Sequence, residues 1–197
     1  ERDPKGMVGS NNWALAGSHT ASGRAMVAND MHLTLRVPNT WYRARLVVES
    51  SQVDISGVTL PGVPGVVAGS NGHVAWGFTN SYGDFQDLVV LTPAGDNDSY
   101  LTADGPRRIE TDIEVLHVAG GADEQLPVRR TIWGPIVAKG ADGRELAMSW
   151  TAHEPEAADM ALLGLESAKN IDEAAVFIGG AGMPGQNVMI ADADGRI

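Results

Sequence analysis

The chain has 197 residues, a length that suits one large domain or part of a bigger one, and its 43% hydrophobic content can build a real core. With 25 acidic against 14 basic residues, a formal charge of −11, its balance argues against duplex nucleic acid or an anionic membrane surface as the main partner, since both need a positive face. No apolar run reaches the roughly 20 residues that span a bilayer, and the absence of cysteine removes disulfides, thiolate metal sites and cysteine nucleophiles.

Residues 1–9 are polar and broken by proline and glycine, and read as a linker. Short extended segments are predicted at Trp13–Ala16 and Ala25–Ala28, either side of the polar turn Ser18–Gly23. Trp41–Glu49 alternates Tyr42, Ala44, Leu46 and Val48 against Arg43, Arg45 and Glu49, the pattern of a half-buried strand with two arginines outward. Val53–Leu60 and Val66–Ala68 flank Pro61-Gly62-Val63-Pro64-Gly65, too rich in breakers for a helix. Strands follow at His73–Asn80 and Leu88–Thr92, and the turn signals of Pro93–Gly105 predict a surface excursion. Ile109–Val118, Val128–Trp133 and Leu146–Trp150 continue the strand-rich style. Helix is expected only in the last third, at the Met160–Leu165 cluster and at Ile171–Ile178, where Asn170 and Glu173 form a capping-box pattern. Gln186–Ala191 reads as a buried strand before the turn signal Asp192–Gly195, and a stop just beyond a hairpin signal suggests a fragment.

Some motifs invite a functional reading that their context opposes. Gly180-Ala181-Gly182-Met183-Pro184-Gly185 satisfies G-x-G-x-x-G, but a predicted helix precedes it and Pro184 stands where the next helix should open, so a post-helix loop explains it. Asp192 and Asp194 lack the further ligands of a calcium loop. His19, His117 and His153 have no partner at metal-ligand spacing.

The stretch Gly9-Ser10-Asn11-Asn12-Trp13 is the most informative. A serine hydroxyl is a poor nucleophile unless a base takes its proton. Cleavage of the Gly9–Ser10 bond would give Ser10 an α-amino group of its own, whose pKa of roughly 7.7–8.0 suits a base near neutral pH. On the residues alone, a turn serine that starts a strand is the plainer alternative.

From Gly9 to Asp87, and more weakly to Ile197, the chain resembles the β-chain start of the penicillin acylases, a group of N-terminal nucleophile hydrolases. Besides the Ser10 stretch, the likeness rests on Ala28-Asn29-Asp30-Met31-His32-Leu33, on Leu60–Gly65, on Asn71-Gly72-His73-Val74-Ala75-Trp76-Gly77-Phe78-Thr79-Asn80, and on Gly83-Asp84-Phe85-Gln86-Asp87, in order and at matching spacing. The resemblance implies an α+β fold, the strand-rich part of a four-layer αββα sandwich, incomplete in this chain. Residues 1–9 would be the remnant of a spacer, and 10–197 the N-terminal part of the acylase β-chain. It further implies hydrolysis of a linear acyl amide, of penicillin, cephalosporin or acyl-homoserine lactone type, on a serine released by autoproteolysis, with this chain inactive on its own.

Carried over by position, Ser10 is the nucleophile and Gly9–Ser10 the cleavage site; His32 would orient or tune the serine's amine; and the backbone N–H of Asn80 would form half of an oxyanion hole. Leu33 and Phe78 would line an acyl pocket, while Asp84, the Gln86 carbonyl and Asp87 would join a structural Ca²⁺ site. Three ligands fall short of the six to eight oxygens calcium takes, so the chain by itself is not expected to complete that site. The family's side-chain oxyanion donor lies beyond residue 197, Asn187 matching a different, strand-forming position. Expected partners are a small acyl amide, the missing α-chain and the remainder of the β-chain; export to the periplasm or secretion is implied as well. The competing readings are a non-catalytic β-rich binding module and a calcium-stabilised structural module.

Overall fold

The structure, a computed structural model, describes residues 9–33 and 36–197, so the spacer reading of residues 1–8 lies outside the described residues. The chain divides into two compact units: the described residues up to Gly83 together with Ala158–Ile197, and Asp84–Ala157. The first unit opens with β1 (Ser10–Leu15), β2 (Met26–Met31), β3 (Tyr42–Val48), β4 (Val53–Thr59), β5 (Ala68–Ser70) and β6 (Val74–Asn80). The second supplies β7 (Gln86–Val90), β8 (Pro93–Ala94), β9 (Asp96–Thr102), β10 (Gly105–Arg108), β11 (Glu110–Leu116), β12 (Glu124–Thr131), β13 (Gly134–Lys139) and β14 (Glu145–Trp150). The chain then returns to the first unit with a 3-10 segment Ala161–Glu166, helix α1 (Ile171–Gly179) and β15 (Gln186–Asp192).

In the first unit an antiparallel sheet runs β15-β6-β5-β4-β3. Alternation puts Val74, Trp76 and Phe78 on one face of β6, where they join Ile55, Leu165, Ala168, Ala174, Phe177 and Ile190 in the core. Asn71 ties the 3-10 segment to the sheet: its Nδ2 donates to Leu165 O at 3.0 Å and Ala168 O at 2.8 Å, while its Oδ1 accepts from the N–H groups of His73 and Val74 at 2.9 Å. The opposite face carries Gly77, whose missing Cβ leaves room for Asn29 of the β1–β2 hairpin; a Cβ there would collide with that side chain. Hairpin, sheet and helix thus form successive layers.

Helix α1 is capped as the sequence predicts. Asn170 Oδ1 accepts from Glu173 N at 3.0 Å, but the returning Glu173 carboxylate takes Lys169 N, at 2.9 Å, one residue before the usual position. The Met160–Leu165 cluster departs from expectation, since it forms a 3-10 segment rather than an α-helix. Gly164 lies there directly under the Phe177 ring, where a Cβ would overlap it, so packing against α1 governs this segment.

Asp192 locks the end of β15. Its carboxylate accepts from Asp194 N, from Arg196 N and Nε, and from Ile171 N at the start of α1. Burial opposes its charge, yet the Arg196 and Ile171 N–H groups and the Arg196 guanidinium outweigh that and hold its pKa below the ordinary carboxylate range. A depressed pKa stabilises the fold above the unfolded value of roughly 3.9, and that stability is lost as pH falls through the native value. Asp192→Ala is therefore expected to cost about 2 kcal/mol at pH 7. The gap in melting temperature from the parent should narrow below about pH 4, as thermal scans across pH would check.

The second unit holds a sheet ordered β11-β12-β13-β14-β7 and a smaller one ordered β10-β9-β8. Its core is Leu91, Tyr100 and Ala147, with Trp133 and Ile136 packed against them. The predicted surface excursion at Pro93–Gly105 is corrected in part: most of its described positions are exposed, but the segment forms β8 and β9 and buries Tyr100 to 2% exposure. That ring lies 5.6 Å from Trp133, and its hydroxyl accepts from Ile132 N at 2.9 Å. Strand β13 was hidden by its opening Gly134-Pro135, a pair that reads as a turn.

Candidate active site

The half-buried positions of β1 alternate, so that Ser10, Asn12 and Ala14 face inward while Asn11 and Trp13 face out. The antiparallel register sets Met31, Asn29 and Val27 opposite the three inward residues. Ser10 thereby heads the strand and lines a cavity of about 510 Å³ together with Asn29, Met31, Leu33, Phe78 and Asn80. Residues of the 60–68 loop and Leu162, Leu163 and Leu165 complete a mainly apolar wall.

Among the described lining residues there is no histidine, lysine or tyrosine. The two carboxylates in the lining each accept one backbone N–H, Asp159 from Ala161 N at 2.8 Å and Glu166 from Val66 N at 3.3 Å. Ser10 is the one hydroxyl in this described lining, and neither carboxylate is hydrogen-bonded to it.

The Asn80 backbone is placed by the parity of the β6–β15 ladder. Ala193 N donates to His73 O at 2.9 Å, and the register runs from there without a break to Gln186↔Asn80. Since bonded and non-bonded pairs alternate in an antiparallel ladder, the main-chain groups of Trp76, Phe78 and Asn80 face away from β15. Strand β5 pairs with β6 only at Ala75 and Trp76. The edge at Phe78 and Asn80 is therefore left without a strand partner, and the cavity lies along it.

The structure brings Ser10, Leu33, Phe78 and Asn80 together in one cavity. His32 is not among the residues that line the cavity. It follows Met31, which pairs with Ser10, and its Nε2 lies 2.9 Å from Asp30 Oδ2. Asp84, Gln86 and Asp87 belong to the second unit and are exposed. Among the described residues no group of three or more His, Cys, Asp or Glu is assembled to hold a metal. Sequence reasoning missed Asn29, Met31 and Trp41 in the cavity; strict alternation from Leu33 back through Met31 to Asn29 is the signal that could have found the first two.

The layered first unit and its serine-headed cavity define a class. The chain matches the thermostable penicillin G acylase from Alcaligenes faecalis with a TM-score of 0.78 over 93% of its own length and 33% of that chain, at 24% identity, and so carries part of the N-terminal nucleophile hydrolase fold. The profile of the penicillin amidase family matches residues 2–197, and the chain belongs to that family. It is 38% identical over 137 residues to the acyl-homoserine lactone acylase QuiP of Pseudomonas aeruginosa, covering 67% of this chain and 16% of that protein. To the penicillin acylase 2 proenzyme of Pseudomonas sp. (strain SE83) it is 33% identical over 131 residues, covering 66% of this chain and 17% of that one. The chain thus spans about a sixth of the length of these curated relatives.

Proposed function

We propose that the protein hydrolyses a linear acyl amide through an acyl-enzyme on Ser10, freed as an N-terminal residue by scission of the Gly9–Ser10 bond. The observation that carries this reading is a lone serine hydroxyl heading β1 in a mainly apolar cavity whose described lining has no histidine, lysine or tyrosine and no carboxylate hydrogen-bonded to it. Its own α-amine, with a pKa near 7.7–8.0 once released, supplies the missing base. Ser10 Oγ attacks the acyl carbonyl carbon and its proton passes to that amine, while the Asn80 N–H donates to the oxyanion. Collapse of the tetrahedral intermediate expels the amine product, which takes the proton. Water, deprotonated by the same α-amine, then attacks the ester and releases the acid. A chain in which the Gly9–Ser10 bond is intact has that base tied up as an amide and is inactive.

The relatives named as acylases act on penicillins or acyl-homoserine lactones, and an apolar cavity of about 510 Å³ suits an aliphatic or aromatic acyl group of either kind. Leu33 and Phe78 contact that group. The rest of the precursor, its α-chain and the remainder of the β-chain, supplies the second oxyanion donor. It also supplies the further oxygens with which Asp84, the Gln86 carbonyl and Asp87 would hold calcium. The reading carries export to the periplasm or secretion with it; no helix among the described residues is long and apolar enough to cross a membrane.

Intact-mass analysis and N-terminal sequencing of the full-length product test the core of this reading. Two chains are expected, one beginning at Ser10, and an unsplit polypeptide that still hydrolyses acyl amides overturns it. In a series of acyl amides of graded chain length, each added methylene should raise kcat/KM about fourfold, the equivalent of roughly 0.8 kcal/mol per buried CH₂, until the cavity is full. His32→Ala, given the partner its ring has in Asp30, is expected to lower kcat by less than about tenfold, short of the 10²–10⁴ that general acid–base catalysis contributes.

A further inference from the structure

We propose that Asn29 is a positioning residue for the oxyanion donor: with its cross-strand partner Asn12 it grips β6 from both edges and fixes the Asn80 N–H opposite Ser10. This rests on the reading of Ser10 as nucleophile. Asn12 and Asn29 face each other in the β1–β2 register and both point at the sheet. Asn12 Nδ2 donates to Gly77 O at 3.2 Å and Asn187 O at 3.3 Å, so it sits over the seam between β6 and β15. Asn29 Nδ2 donates to Phe78 O at 3.0 Å, on the other edge, where β5 has already ended.

That second bond bears on chemistry because of strand geometry. Within one residue of a strand the N–H and C=O point to the same side, and sides alternate along the chain. The Phe78 carbonyl and the Asn80 N–H are therefore consecutive groups on one edge of β6. An oxyanion that accepts from Asn80 lies beside the negative end of the Phe78 carbonyl, and the Asn29 amide draws that charge away while holding the peptide plane.

The amide is kept at a cost. Asn29 Oδ1 is buried without a hydrogen-bond partner, a loss that an apolar side chain of similar size would not incur. Gly77 is what admits it: a Cβ there would lie 2.9 Å from Asn29 Cβ and Cγ and closer still to Oδ1.

The test compares Asn29→Ala, Asn29→Asp, Gly77→Ala and the Asn29→Ala/Gly77→Ala double variant in the full-length protein, with Ser10→Ala as control and turnover normalised to the split fraction. Asn29→Ala is expected to lower kcat on the order of 10–100-fold, less than the 10²–10³ lost with a direct oxyanion donor, with KM within about twofold. Gly77→Ala should reproduce the defect by displacing the amide, and the double variant should be no worse than Asn29→Ala alone. Asn29→Asp keeps the shape but turns an oxygen toward the Phe78 carbonyl, so it answers the question if the alanine variant fails to fold. Wild-type kcat in a folded Asn29→Ala or Asn29→Asp protein overturns the proposal, as does a fall in melting temperature with kcat and KM moving together. Turnover by Ser10→Ala overturns instead the reading of Ser10, whatever the Asn29 variants do.

Discussion

Ser10→Ala in the full-length protein is expected to abolish acyl-amide hydrolysis, a fall of about 10⁴-fold or more. Alanine removes the only hydroxyl in the described cavity lining, so no nucleophile is left there to form the acyl-enzyme. The same change should leave the precursor unsplit, because the proposed scission also needs the Ser10 oxygen. Mass spectrometry of the purified protein and a turnover assay check both outcomes together. Circular dichroism should be unchanged, since Ser10 is half-buried at a strand end and makes no side-chain hydrogen bond recorded among the described residues. A β-rich binding module predicts the opposite, with processing and hydrolysis alike indifferent to the substitution.

Gly57→Ala should produce the largest structural defect. Gly57 and Gly69 face each other between β4 and β5. A Cβ on Gly57 would lie 2.5 Å from Val66 Cγ1 and 2.8 Å from Gly69 Cα, and would strike the Ala68 carbonyl oxygen harder. Val66 could turn aside, but the Ala68 carbonyl and Gly69 Cα are backbone of the paired segment, so the strands must part. The expected cost is about 3 kcal/mol, at the upper end for overpacking. Val66 closes the wall of the cavity and accepts the Trp76 indole N–H at 3.2 Å, so weaker acyl-group binding should accompany the lower melting temperature. Chemical denaturation alongside KM measurements would check this.

The places of the first unit's long strands were legible. Tyr42–Val48, Val53–Thr59, Val74–Asn80 and Gln186–Asp192 all fall within two residues of the segments expected, and Asn170 announced α1 through its cap. The burial of Tyr42–Val48 was not, since it is exposed at every position but Ala44 rather than half-buried. Tyr100 was not, because Gly95, Asp96 and Asn97 dominate any local window, while the burial of its ring comes from Trp133, distant in sequence. In the candidate site, Ser10 was flagged by the glycine before it, and by the resemblance that also supplied Leu33, Phe78 and Asn80. Asn12 and Asn29 look like ordinary polar residues of a turn-rich chain, and only the register reveals that they meet. His32, also marked by the resemblance, lies one residue past β2 with Asp30 as its partner, a contact that the sequence did not announce.

The pairing of β1 with β2 makes the head of this chain sensitive to odd and even changes of length. One extra residue between Ser10 and Asn12 would leave the asparagines in place and swing the hydroxyl out to solvent. Two would turn it inward again but carry it roughly 6–7 Å further along the strand, so a library of linker lengths should tolerate no insertion between these two residues, whatever its parity.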